Sequence, residues 1–465
     1  MAISTILTDT CLAPSADDIP CSAFRAAEKL VVDALGCALA GRGAPGIGEA
    51  AGLVKEWGGK SEASVLFSQS SVPLPNAAFA NSAMIHALDL DDVYIPGIIH
   101  ITSVVIPPAL GCSELYGSTG KEFLAAVIMG IEAAGRISAA ESGHRRSIGF
   151  LPTTLAGGFG AVIACARLMG LDADRCVNAL GINYAQCAGN RQALLDQTLT
   201  KRIQPAFAAR SAVWAADLAD RGITGPANAF EGNAGYFKLY MNGTVPDGEL
   251  FRADLEKPAV ELVSLKRYPS CGACHHVQTA AEKLRSEESL DPEEIERVEI
   301  FGCGPGGLVG NPFYLGDTPQ VNVQFSAAWG VAHALLRGEA RIGDYTEESI
   351  RGDTQVIECA RNITYTEIPE QVPQSEELPC GYPGGHARPQ GIIVHTKDGR
   401  KLTRHQYPHD TFPPGGMDMD RTIQKFMDCA AFSGLCSEEQ AERIVESVLD
   451  LRETGGTESL ISLVS

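Results

Sequence analysis

Residues 119–140 read TGKEFLAAVIMGIEAAGRISAA. Apolar residues fall on most faces of a 3.6-residue repeat here, and no strand-like alternation interrupts them. A helix apolar on most faces needs other helices around it. Its neighbours have the same character: 103–116 (SVVIPPALGCSELY) and 154–169 (TLAGGFGAVIACARLM) are rich in Ala, Val, Ile and Leu. Upstream, 22–40 (SAFRAAEKLVVDALGCALA) is apolar at helical spacing and stops at Gly41, and 74–88 runs through LPNAAFANSAMIHAL. Downstream, Asp172 is placed to cap the N-terminus of a helix over DADRCVNALGINYAQC, and a further helix is expected over about 205–221. Together these segments predict an all-α domain.

The pattern changes near residue 260. VELVSLKRY (260–268) reads as a strand, followed by a helix over 273–286, an acidic connection SEESLDPEEIE, a strand RVEIFGC (297–303) and a helix over 325–338. ARNITYT (360–366) is a short strand, and GIIVHTKDGRKLTRHQY (391–407) is a hairpin around an Asp-Gly turn. These elements predict a smaller α+β domain at 265–410. The tail returns to amphipathic helices at 418–434 and 437–451, each too short to fold alone. The expected fold is mainly α: a large all-helical domain built from both chain ends (1–264 and 411–465) with the α+β domain inserted.

Bulk properties narrow the function. The chain has 465 residues, 45% hydrophobic and 20% charged, as in ordinary globular proteins; at about 150 residues per domain, two or three domains fit. Only 6% of residues are aromatic, which suits closely packed helices. The net charge of −20 repels phosphate backbones and excludes nucleic acid as a natural partner. It also repels free anions at long range, so an anionic substrate requires a local cationic cluster. The first twenty residues, MAISTILTDTCLAPSADDIP, lack a basic start and a long apolar core, and the first Arg is Arg25. No apolar run reaches about 18 residues, and Glu132 interrupts the best one, so no membrane span is expected. The 14 cysteines are scattered and read as reduced, buried small hydrophobes. A cytoplasmic location is the corresponding expectation.

Three motifs point elsewhere and are weak. Gly302, Gly304 and Gly307 have dinucleotide-loop spacing after a strand, but Asn311-Pro312-Phe313 follows where a helix is needed, so a plain loop is expected. Cys271, Cys274 and His275 match the haem-attachment spacing C-x-x-C-H and half of a zinc site. No second ligand pair completes a zinc site, and a loop entering a helix, with His275 and His276 in its first turn, is the simpler reading. Asp89, Asp91 and Asp92 resemble the start of a calcium loop without its glycine and terminal glutamate. Lying between an Ala-rich helix and an apolar run, these acids are expected between packed helices rather than on an outer face.

NSAMIHALDLDD (81–92), His100 eleven residues after Asp89, and the run SVVIPPALGCSELYGSTGKEFLAAVIMGIEAAGRI together resemble the signature stretch of the MmgE/PrpD family. Further blocks resemble the family in order: TTLAGGFGAVIACARLMGLD, TKRIQPAFAARSA, RYPSCGACHH, VQFSAAWGVAHALLRG and the hairpin near 390–407. The resemblance spans about residues 20–450. The family includes 2-methylcitrate dehydratases, cis-aconitate decarboxylases and an iminodisuccinate epimerase. The resemblance implies two domains divided as above, a homodimer, no metal, no organic cofactor, and an active site in the cleft between domains.

Residue by residue, the resemblance implies Asp89, His100 and His275 as catalytic groups and Lys201, Arg202 and Tyr268 as substrate-binding ones. The chemistry suits these types. Histidines exchange protons near neutral pH, and Lys201 with Arg202 can hold substrate carboxylates. Taken without the family, the plainer readings come first: Asp89 as a cap or surface acid, Lys201 and Arg202 as a solvated pair, the histidines as structural, and Tyr268 as a core aromatic.

Departures from the family pattern bear on the reaction. Val93 and Tyr94 stand where members often have threonine and histidine; Leu151 stands at the histidine of a tryptophan-histidine-proline turn; Gln204 stands where many members have histidine. Neither Val93 nor Leu151 can transfer a proton. The expected function is a lyase on a small polycarboxylate, first as dehydration of a citrate-like or 2-alkylcitrate-like acid. Cis-aconitate-type decarboxylation is the alternative. Epimerisation of a dicarboxylate or a silent binding relative is third.

Overall fold

The computed structural model describes residues 1–141, 149–304, 309–378, 386–413 and 415–465. The fold is mainly α, with long helices and few, short strands. The described residues fall into two compact units. One lies within Met1–Gln192, Thr200–Leu265 and Pro414–Ser465, the other within Ala193–Leu199 and Lys266–Pro413.

In the first unit, helix Gly120–Glu141 packs along Pro152–Met169, which also packs on Thr102–Tyr116 and Thr200–Asp220. Helix Leu74–His86 lies against Thr102–Tyr116 and Thr200–Asp220. Small residues permit this closeness. A Cβ added at Gly160 would come within 2.3 Å of the Gly130 carbonyl oxygen, so two helix backbones touch there and any side chain would push them apart. Helices Gly120–Glu141 and Pro152–Met169 are long and apolar enough to cross a membrane by length and composition, yet 83% of each apolar window is buried inside this unit. Their apolar surface is spent on neighbouring helices.

Helix ends follow local chemistry. Asp172 accepts the Arg175 amide N–H at 2.8 Å, and Asp418 and Ser437 cap the two later helices by accepting from Arg421 and Gln440. Helix Met419–Ser433 packs on Cys21–Gly41, bringing the end of the chain onto its beginning.

Three elements differ from the sequence reading, and one is the strand expected over 360–366, which is confined to Thr364–Thr366 because residues 360–362 end helix Thr354–Asn362. The helix expected from about 205 begins at Thr200, with Pro205 inside it. Pro205 forfeits one intrahelical bond, to the Lys201 carbonyl, which a buried 21-residue helix tolerates. The strand expected over 260–268 shrinks to Val263–Ser264, because Pro258 starts a 3-10 turn over Ala259–Leu262. That short strand pairs with Val93–Tyr94 in the first unit.

The second unit carries a four-stranded sheet in the order Lys401–Gln406, Gln390–Thr396, Ile295–Phe301, Thr364–Thr366. The last pair is parallel and the others antiparallel. Gly399, at φ 89°, makes the expected Asp-Gly turn. Helices Gly272–Glu287 and Ala327–Arg337 pack together, and Trp329, Val277, Ile300 and Val394 share the core beneath. No helix starts among the described residues between Phe301 and Pro319, as a plain loop requires; Gly307, the third glycine of the spaced set, lies outside the described residues.

Candidate active site

Helix Leu74–His86 is buried at every position but Asn76, and its polar residues Asn81, Ser82 and His86 are buried too. The chain leaves it through Asp89, whose φ of 55° is left-handed, a conformation Asp adopts more readily than most residues. The Asp89 amide N–H donates to the His86 carbonyl at 3.2 Å, and the turn directs Asp89, Asp91 and Asp92 inward, all at most 2% exposed. The acids are therefore interior groups, as expected from their apolar flanks.

Each acid has a distinct task. The Asp91 carboxylate lies 2.7 Å from His86 Nδ1. Asp92 accepts the amide N–H groups of Ile101 and Thr102 at 3.0 Å each, and the Thr102 hydroxyl as well. It thus caps helix Thr102–Tyr116 from across the loop, where a negative charge also meets the positive end of the helix dipole. Asp89 pairs with the Lys201 ammonium, which arrives from the first turn of helix Thr200–Asp220.

His100 is the accessible member, its side chain 21% exposed. Its amide N–H donates to Thr153 Oγ1 at 3.1 Å, and its Nδ1 lies 2.5 Å from the Asp92 carbonyl oxygen. A carbonyl only accepts, so Nδ1 carries the proton, and Nε2 is the nitrogen at which the ring can gain a second one. Asp91 lies 3.9 Å from the same Nδ1, and the His86 and His100 rings are 5.1 Å apart. Arg202, 1% exposed, donates to the Pro45 carbonyl at 2.9 Å.

Burial governs the charge states. It lowers the His86 pKa despite the Asp91 carboxylate and pulls Arg202 down to about 10 against the attraction of Asp89. Burial and then the Asp91 charge push Asp92 up to about 7, against the hydrogen bonds that favour its ionised form. A carboxyl raised in the fold contributes stability that is complete below its ordinary 3.8 and lost as pH rises through about 7. Asp92→Asn removes this dependence. The wild type should lose stability relative to the variant between about pH 4 and about pH 7 in urea unfolding. A constant difference would refute the assignment.

His86, Asp89 and Asp91 offer donor atoms within 4.8 Å of one another, the one convergent set of three metal-type ligands among the described residues. Their pairing leaves little for a cation, since Asp91 faces His86 and Lys201 already supplies positive charge at Asp89. Cys271, Cys274 and His275 form no such set among the described residues. They begin helix Gly272–Glu287, where Cys271 is the N-terminal flanking residue, as the loop-into-helix reading expects.

In the second unit, the structure brings Tyr268 and His275 together. Their rings lie 4.8 Å apart edge to face, and His275 stacks on Phe412 at 5.2 Å. The Tyr268 hydroxyl donates to Glu282 at 2.7 Å, and His275 Nε2 faces the Ser270 carbonyl at 3.3 Å. Asp89, His100, Lys201 and Arg202 belong to the first unit, described above.

The departing positions have structural roles. Gln204 grips the Asn190 backbone, accepting its N–H at 2.9 Å and donating to its carbonyl at 3.1 Å. Leu151 precedes helix Pro152–Met169, two residues before the Thr153 that holds His100. Val93 and Tyr94 are buried in the short strand paired with Val263–Ser264. The sequence reading missed His86 and Asp91 as members of the cluster. The available signal was a histidine at the end of a predominantly apolar helix, five residues before an acid.

Comparison with known proteins agrees over nearly the whole length. The chain is 25% identical to the cis-aconitate decarboxylase-like protein oryM of Aspergillus oryzae, covering 96% of this chain and 94% of that protein. It is 26% identical to a cis-aconitate decarboxylase of Aspergillus terreus, covering 97% and 93%. It is 25% identical to the human cis-aconitate decarboxylase, covering 86% and 82%. Residues 5–249 match the MmgE/PrpD N-terminal domain and residues 268–451 the MmgE/PrpD C-terminal domain. The ordered blocks around Asp89, His100, Lys201 and His275 thus fall within matched regions, and the chain belongs to the MmgE/PrpD family.

Proposed function

We propose that this protein is a lyase for a small polycarboxylate, with decarboxylation of a cis-aconitate-like acid as its first reaction. The observation that carries the reading is the cluster itself: one accessible histidine with a defined tautomer beside a buried Lys201–Asp89 pair. The names of relatives spanning nearly the full chain favour decarboxylation over the dehydration expected from the sequence. Dehydration of a citrate-like acid is the second reading, supported by family membership.

Decarboxylation makes modest demands. Cleavage of the bond to the carboxylate carried by the saturated carbon adjacent to the double bond releases CO₂ and leaves its electron pair on that carbon as an allylic carbanion. A proton quenches that carbanion, and in this reading His100 gives it from Nε2 after taking it up there as the imidazolium. Lys201 and Arg202 hold the remaining carboxylates and offset developing charge. Asp89 keeps Lys201 in place, His275 is the second proton-transfer group, and Tyr268 is its aromatic neighbour. Dehydration needs an acid for the departing hydroxyl in addition to a base, and Val93 and Leu151 withdraw two positions where members often carry polar groups.

The test uses purified protein with cis-aconitate, citrate and 2-methylcitrate, following CO₂ release and alkene absorbance separately. CO₂ from cis-aconitate is expected. New alkene absorbance from the hydroxy acids without CO₂ selects dehydration, and no turnover of any of the three removes the lyase reading.

A further inference from the structure

Behind the acidic loop lies a buried ion pair with no part in the scheme above. Lys425, on helix Met419–Ser433, reaches Asp33 on helix Cys21–Gly41, its Nζ 2.6 Å from Asp33 Oδ1. The two side chains are 10% and 1% exposed. The same ammonium donates to the carbonyl oxygen of Leu90 at 2.8 Å. Leu90 sits between Asp89 and Asp91, so a cation from 335 residues away holds the peptide that separates two acids of the cluster.

Charge links the pair to the loop as well. Burial raises the Asp33 carboxyl, Lys425 lowers it, and the Asp91 charge raises it again, so Asp33 and Asp91 lie within each other's field. Without a cation between helix and loop, two buried carboxylates would repel across the base of the cluster. A buried ion pair is a poor device for stability, since an apolar pair of similar volume often does as well or better. The Lys425 contact to a main-chain carbonyl of the loop supplies a different reason for its presence.

We propose that Lys425 is a positioning residue: it anchors the Leu90 carbonyl and offsets the Asp33 charge, and thereby maintains the His86–Asp91 bond. This rests on the cluster being the active site, and the test separates the two ideas. The full chain is prepared with ¹⁵N-histidine, and the imidazole N–H proton of His86 that faces Asp91 is assigned by its loss in H86Q. A buried 2.7 Å bond to a carboxylate places that signal far downfield. It should persist in Lys425→Arg and move upfield or vanish in Lys425→Met, while the signals of the remote His333 and His395 stay in place. If Lys425→Met does not fold, the double variant K425M/D33L, which removes both charges, is read instead. An unchanged His86 signal in the folded variant overturns the proposal. In parallel, kcat on the active substrate should fall about ten- to hundredfold, as for small misplacements of catalytic groups, with KM within about threefold. A wild type that shows the signal but turns over nothing defeats the lyase reading and leaves the positioning role standing.

Discussion

Lys201→Ala should abolish useful activity and weaken the fold together. On the lyase reading, kcat/KM falls about a hundred- to a thousandfold, the range for removing one charge-stabilising group from an active site. The same change takes the ammonium from Asp89 in an interior where the two side chains are 6% and 3% exposed. Breaking a buried pair from one side costs about 3–5 kcal/mol. The two effects separate in the double variant D89L/K201M. With both charges gone, most of the stability should return and none of the activity. Wild-type turnover in Lys201→Ala, or a double variant as unstable as the single, contradicts the assignment. Chemical denaturation and steady-state kinetics on the same preparations decide it.

His100→Gln should spare the fold and remove the chemistry. The side chain is partly exposed and its anchor is a backbone carbonyl, which a glutamine amide can also donate to, so the stability change should stay within about 1 kcal/mol. Loss of a proton-transfer group costs about 10²–10⁴ in rate. The pH profile adds direction. A histidine that delivers the quenching proton makes the wild-type rate fall as pH rises, and that limb should be absent in the variant. A wild-type rate that instead falls as pH drops would assign His100 the role of base and favour dehydration. Retained activity with the same profile moves the proton transfer to another residue.

The helices were legible because their signals are local. Apolar residues at helical spacing outlined 22–40, 103–116, 119–140 and 154–169, and Asp172 marked a start that its side chain does cap. Legibility failed where a local signal was outweighed. The helix expected from about 205 starts at Thr200 instead, because tertiary burial of the preceding turn keeps Lys201 and Arg202 helical. The run at 260–268 had strand composition, but a proline-initiated turn consumed its first three residues.

The site divides along the same line. Sequence alone determined which residue types were present, that the acids at 89–92 lay between apolar segments, and that the family's ordered blocks ran through nearly the whole chain. It had no means of showing that Asp91 pairs with His86, that Asp92 caps the following helix, or that His100 is held by a main-chain carbonyl. Lys201 meets Asp89 across 112 positions and Lys425 meets Leu90 across 335. Contacts at such separations leave no periodic trace in the chain. They exist because close-packed helices leave one arrangement of side chains, in which buried charges must meet a partner or pay several kcal/mol for their lost water. Only the tertiary structure decides which partner each one meets.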